Sequence, residues 1–268
     1  MKGILNMIEK TYYTNPGIDY LINHYIREYD MIKAGPSAYL QAGCITQEQY
    51  DHLISLPRER RQIETGLLSK YNPGFEDAKK QVIAETRQKF IETNGIDDSD
   101  ILSIKNDAIF VIDKACTALD FDKMHLTCKN IYSSYYRYNR VELFYYKDNM
   151  TGQDLLDVKN IGSHTVLHTE YMMDFLSYIF DLAQSNIKET IAVIQQFESD
   201  YVSGKLDLGY YREFNAKSCF KLSNSISSYF QYHAAHLPKD IPRTELDISY
   251  NLLLVRHLYK IYSSIILK

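Results

Sequence analysis

Tryptophan is absent from the sequence, cysteine is scarce, and no apolar run approaches the length of a membrane span. The four cysteines, Cys44, Cys116, Cys128 and Cys219, stand far apart, with no CxxC pair and no histidine at zinc-finger spacing. They read as buried free thiols rather than as metal ligands. Neither a GxGxxG loop nor a Walker pattern occurs, and no Ser-His-Asp order or activated cysteine stands out, so dinucleotide-binding and hydrolase classes find little support. The opening MKGILNMIEKTYYTN has too short an apolar segment for a signal peptide, which predicts a cytoplasmic protein with no membrane partner. A net charge of −4 excludes an all-over basic nucleic-acid binder and leaves room for a local basic groove.

What is present is the composition of a folded protein. Apolar residues make up 45% of the 268 and charged residues 24%, which excludes disorder and fibre classes and supplies a core for one large domain or two ordinary ones. The 24 tyrosines, beside abundant Ile, Asn and Lys, suit the coding bias of an AT-rich genome, such as that of a phage or a low-GC host.

Along the chain, Asn15-Pro16-Gly17 is a turn signal, and the alternation from Tyr20 predicts a strand ending at Asp30. Ile32 to Ala42 predicts a helix with Gly35-Pro36 near its start and Gly43 as its C-cap. Thr46 caps a short helix through Leu56, a further helix runs from Arg58 to Lys70, and Phe75 to Thr93 is amphipathic and helical. An acid-rich turn at Asp97-Asp98-Ser99-Asp100 leads into a β-rich run, Ile101 to Ile112, with strands expected at His125 to Arg137 and Arg140 to Lys147. Beyond Asp148-Asn149 the patterns turn helical: Val166 to Ala183, Ile187 to Ser199 and Glu245 to Leu267, with room for two more helices between Tyr201 and Phe230. The expected fold class is α+β: an antiparallel sheet with helices over residues 1–150, then a mainly helical part over 151–268, with a soft boundary between them.

Two acids stand in unusual places. Asp30 closes an apolar strand just before a helix, and Asp107 interrupts the β-rich run. Two carboxylates on neighbouring strands are what two-metal phosphoryl transfer requires, because each bridges Mg²⁺ ions that stabilise the attacking and leaving oxygens. Magnesium takes a few carboxylates together with substrate phosphates, so two or three acids suffice, the third being Glu28, Asp113 or Glu142. Each acid also has a plainer reading, Asp30 as a helix N-cap and Asp107 as a residue of an Asn-Asp turn.

The stretch Arg27-Glu28-Tyr29-Asp30-Met31, with Ala34 and Pro36-Ser37 in the following helix, resembles motif A of palm-domain nucleic-acid polymerases. Ile104-Lys105-Asn106-Asp107-Ala108-Ile109-Phe110 resembles motif C of family A DNA polymerases, with Asn106 and Ala108 where that family has His and Glu. Between them, helices bearing Arg58, Arg60, Arg61 or Lys79, Lys80 and Arg87 stand where motif B would be, without its Lys-x-x-x-Asn-x-x-x-Gly pattern. The resemblance covers residues 20–115. It implies a palm-like sheet, Mg²⁺ on Asp30 and Asp107, and Arg58, Arg60, Arg61, Lys80 and Lys105 as contacts to a nucleoside triphosphate or nucleic acid.

Other features carry less. His164 and His168 are four apart with no third ligand marked, and Asp157-Val158-Lys159 before Gly162 has the look of a phosphate-touching loop. Tyr132, Tyr135, Tyr136, Tyr138, Tyr145 and Tyr146, with Arg137 and Arg140, form an aromatic and basic segment that suits either base stacking or a half-buried sheet. Gly209 to Asn215 is dense in Tyr and Arg, the usual anchors of interfaces. The sequence therefore supports two functions: a metal-dependent nucleotidyltransferase, or a non-enzymatic phage protein that binds a partner or assembles into a homo-oligomer.

Overall fold

The computed structural model describes residues 10–138, 141–148, 150–160, 166–168, 170–207, 210, 213–215 and 250–266. The chain divides into two compact units: described residues of 1–17 and 25–131 form the first, and those of 18–24 and 132–268 form the second.

The first unit contains strand β1 (Tyr12–Thr14), the greater part of β2 (Tyr20–Met31), and four consecutive helices: α1 (Ala34–Gln41), α2 (Gln47–Ser55), α3 (Arg58–Tyr71) and α4 (Phe75–Thr93). A hairpin follows, β3 (Ile101–Lys105) and β4 (Ala108–Ile112), then the short β5 (Asp120–Phe121) and the first half of β6 (Met124–Tyr138). The strand order is β1-β3-β4-β2-β6. Since β4 is antiparallel to both β2 and β3, the helices carry the chain from β2 to a parallel strand with β4 inserted between them. This is a split βαβ arrangement.

Local sequence explains the joints. Thr46 forms a capping box with Gln49, which starts α2 where the pattern places it. The β-rich run divides into two strands because Asn106 takes a left-handed conformation, φ 53°, and with Asp107 makes a two-residue turn. At the end of β2 the chain bends into α1 through Lys33, also left-handed at φ 51°. The N-cap position of this helix is held by Lys33 rather than Asp30, and the Lys33 side chain makes no capping hydrogen bond.

The core of this unit forms where alternation along β2 turns Tyr29 and Met31 to one side, against Val82, Ile83, Phe90 and Ile91 of α4 and Ile104 and Ile109 of the hairpin. Tyr29 and Phe90 have ring centroids 5.1 Å apart, and the Tyr29 hydroxyl accepts a hydrogen bond from the Cys116 amide at 2.7 Å. The same alternation leaves Glu28 and Asp30 on the opposite side of β2.

The second unit pairs β6 with β7 (Val141–Lys147) and β7 with β8 (Asp154–Asn160), all antiparallel. Helices α5 (Glu170–Ser185), α6 (Ile187–Val202) and α7 (Tyr250–Ile266) belong to this unit, as does a two-stranded pair, β9 (Val166–His168) with β10 (Glu213–Asn215). Its core joins Tyr136, Leu143 and Tyr145 to Leu176, Phe180, Ile194, Phe197, Leu258 and Tyr262.

The α+β class and the antiparallel sheet agree with the sequence reading, and three local expectations change. Asp157-Val158-Lys159 is part of β8 rather than a loop, because Leu156 and Val158 alternate into the core and β7, buried along most of its length, takes a hydrogen-bonded neighbour on its second edge. The predicted helix from Val166 begins as a strand and becomes helical only at Glu170. Tyr132, Tyr135, Tyr136 and Tyr145 are fully buried, each hydroxyl bonded to Asp157, Glu142, His257 or Asp154 respectively, so these four belong to the core, while Tyr138 and Tyr146 are half-buried. Replacing Tyr29 with Phe would orphan the buried Cys116 amide and should lower stability by about 1–3 kcal/mol, read from the denaturant midpoint. An unchanged midpoint would show that this hydrogen bond contributes nothing.

Candidate functional site

The register of β2 on β4 decides the site. Asp30 faces Ala108 across the ladder, and the Met31 amide donates to the Asp107 carbonyl at 3.2 Å, so the two acids lie beside each other at one end of the sheet. Both line a single cleft of about 550 Å³ within the first unit. The strand end and turn contribute Asp30 and Asp107, α3 contributes Arg58 and Arg61, and Lys33, Lys79 and Lys129 complete the charged lining. Five cations thus face two carboxylates in a chain whose net charge is −4. Such a concentration of positive charge draws anions, and phosphate above all.

The helices reach this cleft through close packing. A Cβ on Gly35 would come within 2.8 Å of the Thr65 methyl, so the start of α1 and the middle of α3 approach as glycine alone permits. Along α3 the residues Arg58, Arg61, Gln62, Thr65, Gly66 and Ser69 form one helical stripe facing the cleft. Lys33 lines it from the left-handed joint, the kind of backbone outlier that collects at functional sites.

Lys129, on β6, has its Nζ 3.8 Å from the Asp30 carboxylate and 3.9 Å from that of Glu28. Glu28 is almost wholly buried and accepts a hydrogen bond from the side-chain Nδ2 of Asn130 at 2.8 Å. It sits two residues before Asp30 on the same face of β2, and the two carboxylates share Lys129. Asp113 lies at the opposite end of β4, where it accepts from the Tyr25 amide, and Glu142 is buried in the second unit against Tyr135. Among the described residues no group of three or more His, Cys, Asp or Glu is placed to hold a metal ion. The hard oxygen donors in the cleft lining are the carboxylates of Asp30 and Asp107, and Mg²⁺ in general needs few protein carboxylates where phosphate oxygens and water complete its shell.

Asp107 is held by its turn. The guanidinium of Arg87, buried in α4, donates to the carbonyl of Lys10 at 2.8 Å and to the carbonyl of Asn106. Burial lowers the pKa of Arg87 to about 10, with Asp107 opposing the shift, so it stays charged at neutral pH. Burial also raises the carboxyl pKa of Asp107 above the ordinary range, and its own amide with Arg87, Lys129 and Lys79 offsets part of that rise.

The other expected contacts divide. Lys80 lines a neighbouring cleft. Lys105 stands in the same cross-strand row as Asp30, through Ala108, but lines neither cleft. Arg60 is exposed on α3 and lines neither. Lys33 and Lys129 went unnoticed in the sequence; for Lys129 the signal was the polar run Thr127-Cys128-Lys129-Asn130 within an otherwise apolar and aromatic strand. Gly162, His164, Tyr211, Arg212 and Cys219, and with them Asn139 and Arg140, lie outside the described residues.

A protein-family model described as "Bacteriophage PBS1 gene 130 protein" matches residues 3–263, a range that holds every residue of the cleft. The chain belongs to this phage family. No curated protein matches it. Family membership accords with the tyrosine-rich, tryptophan-free composition, and no helix among the described residues is long and apolar enough to cross a membrane.

The raised proton affinity of Asp107 makes a testable statement about stability. The folded chain holds this proton more tightly than the unfolded chain, so stability falls as pH rises from the unfolded carboxyl value through the raised folded one. Asp107→Asn should therefore raise the denaturation midpoint at pH 7, and the gain should shrink as the solution is acidified below the ordinary carboxyl range. A gain that is absent at pH 7, or constant with pH, would remove burial as the dominant influence on Asp107.

Proposed function

We propose that the first unit carries a metal-assisted phosphoryl-transfer site of the nucleotidyltransferase kind, acting on a nucleoside triphosphate or nucleic acid. The observation that carries this reading is the convergence of Asp30 and Asp107 with Arg58, Arg61, Lys79 and Lys129 on one cleft. The split βαβ arrangement, with an acid at the end of one strand and another at the turn of the neighbouring hairpin, supports the resemblance to motifs A and C of palm-domain polymerases.

Asp30 and Asp107 would hold Mg²⁺, which when bound supplies Lewis-acid neutralisation of charge on the phosphoryl oxygens. Arg58 and Arg61 bind and orient phosphate from the α3 side, with the planar donor fork that suits its oxygens. Lys129, already beside Asp30, balances the acids until cation and phosphate enter together. Arg87 acts at one remove by fixing the turn on which Asp107 rides. The setting we infer is the host cytoplasm, where nucleotides are at hand.

In a Mg²⁺-dependent nucleotide-incorporation assay, Asp30→Asn and Asp107→Asn should each lower turnover by roughly 10²–10³-fold, the scale of removing one electrostatic stabiliser of a transition state. Activity that survives both substitutions would overturn the mechanism.

One observation favours the second reading, a protein that assembles with its own copies. On the side of α3 away from the cleft, Ile63, Leu67 and Tyr71 recur four residues apart and are exposed, and Leu53, Leu67, Leu68 and Tyr71 line a groove of about 670 Å³ between α2 and α3. A dimer in light scattering that Leu67→Asp dissolves would support assembly through this face, and a monomer at high concentration would remove it.

A further inference from the structure

We propose that anion binding in the cleft and self-association are coupled through α3, so that seating an anion against Arg58 and Arg61 drives the chain into a two-fold dimer. The inference rests on both functional readings above and adds the link between them. α3 is the element on which both ligands act. None of its residues is buried, and no side chain caps its N-terminus at Pro57. Arg58, Arg60 and Arg61 crowd its first turn, where the helix dipole disfavours positive charge, and Glu59 is the one acid among them. The helix is tied to its unit through Leu68, packed on the cluster of Tyr39, Ile45 and Leu53, through Thr65 against Gly35, and through Glu64, paired with His52 at 3.3 Å. A helix of this kind is marginal by itself and owes its order to what packs on it. An anion in the cleft relieves the charge of the first turn, and a partner on the other side covers the apolar stripe.

The partner that fits this stripe is a second copy of the chain. Ile63, Leu67 and Tyr71 are exposed and spaced four residues apart, so the stripe is symmetric about Leu67. A two-fold axis at Leu67 sets two α3 helices antiparallel, with Leu67 against its own copy and Ile63 against the partner's Tyr71. Such an axis also brings each flank of the stripe against the same flank of the copy. The helical step of about 100° per residue puts Arg60 and Tyr71 on one flank and Glu59 and Lys70 on the other. Arg60, which lines neither cleft, then reaches the ring of the partner's Tyr71, and Lys70 reaches toward the partner's Glu59. The stripe is thus complementary to itself in shape and in charge. A single helix pair is a small interface, so the dimer is weak until the anion binds. Whichever ligand orders α3 first lowers the cost of ordering it for the other, and the coupling runs both ways.

The test measures the dimerisation constant of the full chain by sedimentation equilibrium in excess Mg²⁺, with and without pyrophosphate. Pyrophosphate should tighten the dimer by about five-fold or more, the lower range of allosteric couplings, and raising the protein concentration should tighten pyrophosphate in turn. Hydrogen exchange of the α3 amides should slow on each addition. Leu67→Asp, at an exposed position outside the cleft, should leave a monomer that binds pyrophosphate with the weaker affinity of the dilute wild type. Arg60→Ala should weaken the dimer several-fold and leave pyrophosphate binding to the monomer unchanged, which keeps the interface testable if the aspartate variant fails to fold. A dimer of equal strength with and without pyrophosphate would overturn the coupling and leave both functional readings in place. A monomer at every concentration, anion or none, would overturn the inference together with the assembly reading. Absence of pyrophosphate binding would instead sink it together with the phosphoryl-transfer reading. Growth beyond the dimer into open-ended oligomers would overturn the two-fold arrangement.

Discussion

The pairing of β2 with β4 is the constraint on which the site depends. A ladder that sets Asp30 against Ala108 brings the Asn106-Asp107 turn against Met31, so two acids 77 positions apart in the chain become neighbours, one at the end of β2 and the other in the hairpin turn. Because side chains alternate, a slip of one residue in this register would turn Asp30 into the core and Tyr29 out of it. The hydrophobic demand for Tyr29 and Met31 to face α4 therefore also holds Asp30 on the cleft side. Packing and chemistry are specified by the same alternation.

Around that ladder the unit invests buried charge. Arg87 and Glu28 are both nearly inaccessible to water, and each is met by hydrogen bonds: Arg87 by two carbonyls, Glu28 by Asn130, with Lys129 close by. Removing one partner from such a group is costly, whereas the intact set contributes geometric definition more than stability. Here the definition falls on the turn that carries Asp107 and on the strand end that carries Asp30. α3, which has no buried residue, faces the cleft with Arg58 and Arg61 along one stripe and presents Ile63, Leu67 and Tyr71 along another. It is a helix held by its neighbours that offers two chemically distinct surfaces.

Tyrosine shows how one composition serves two purposes. In the second unit Tyr132, Tyr135, Tyr136 and Tyr145 fill the interior of the sheet, and each of these four hydroxyls finds an acid or a histidine. The aromatic and basic segment looked like a recognition surface because alternation alone cannot say which face meets α-helices and which meets water. Helices α5, α6 and α7 supply the apolar partners for Tyr136 and Tyr145, and those contacts lie well outside any local window of sequence.

Much of the first unit was legible without coordinates. The helix limits at Thr46, Arg58 and Phe75, the turn at Asn106-Asp107 and the two anomalous acids follow from capping, breakers and period, all of which act over a few residues. Strand β8 and the strand start at Val166 were not, since short strands owe their existence to a partner edge. Lys129 and Lys33 were likewise hidden: one reaches Asp30 from β6, and the other depends on a left-handed joint. By itself the sequence determined where the acids and the cationic helices stand along the chain. Only the tertiary structure decided that they share a cleft, because strand register and helix approach are long-range contacts whose energy no local segment contains.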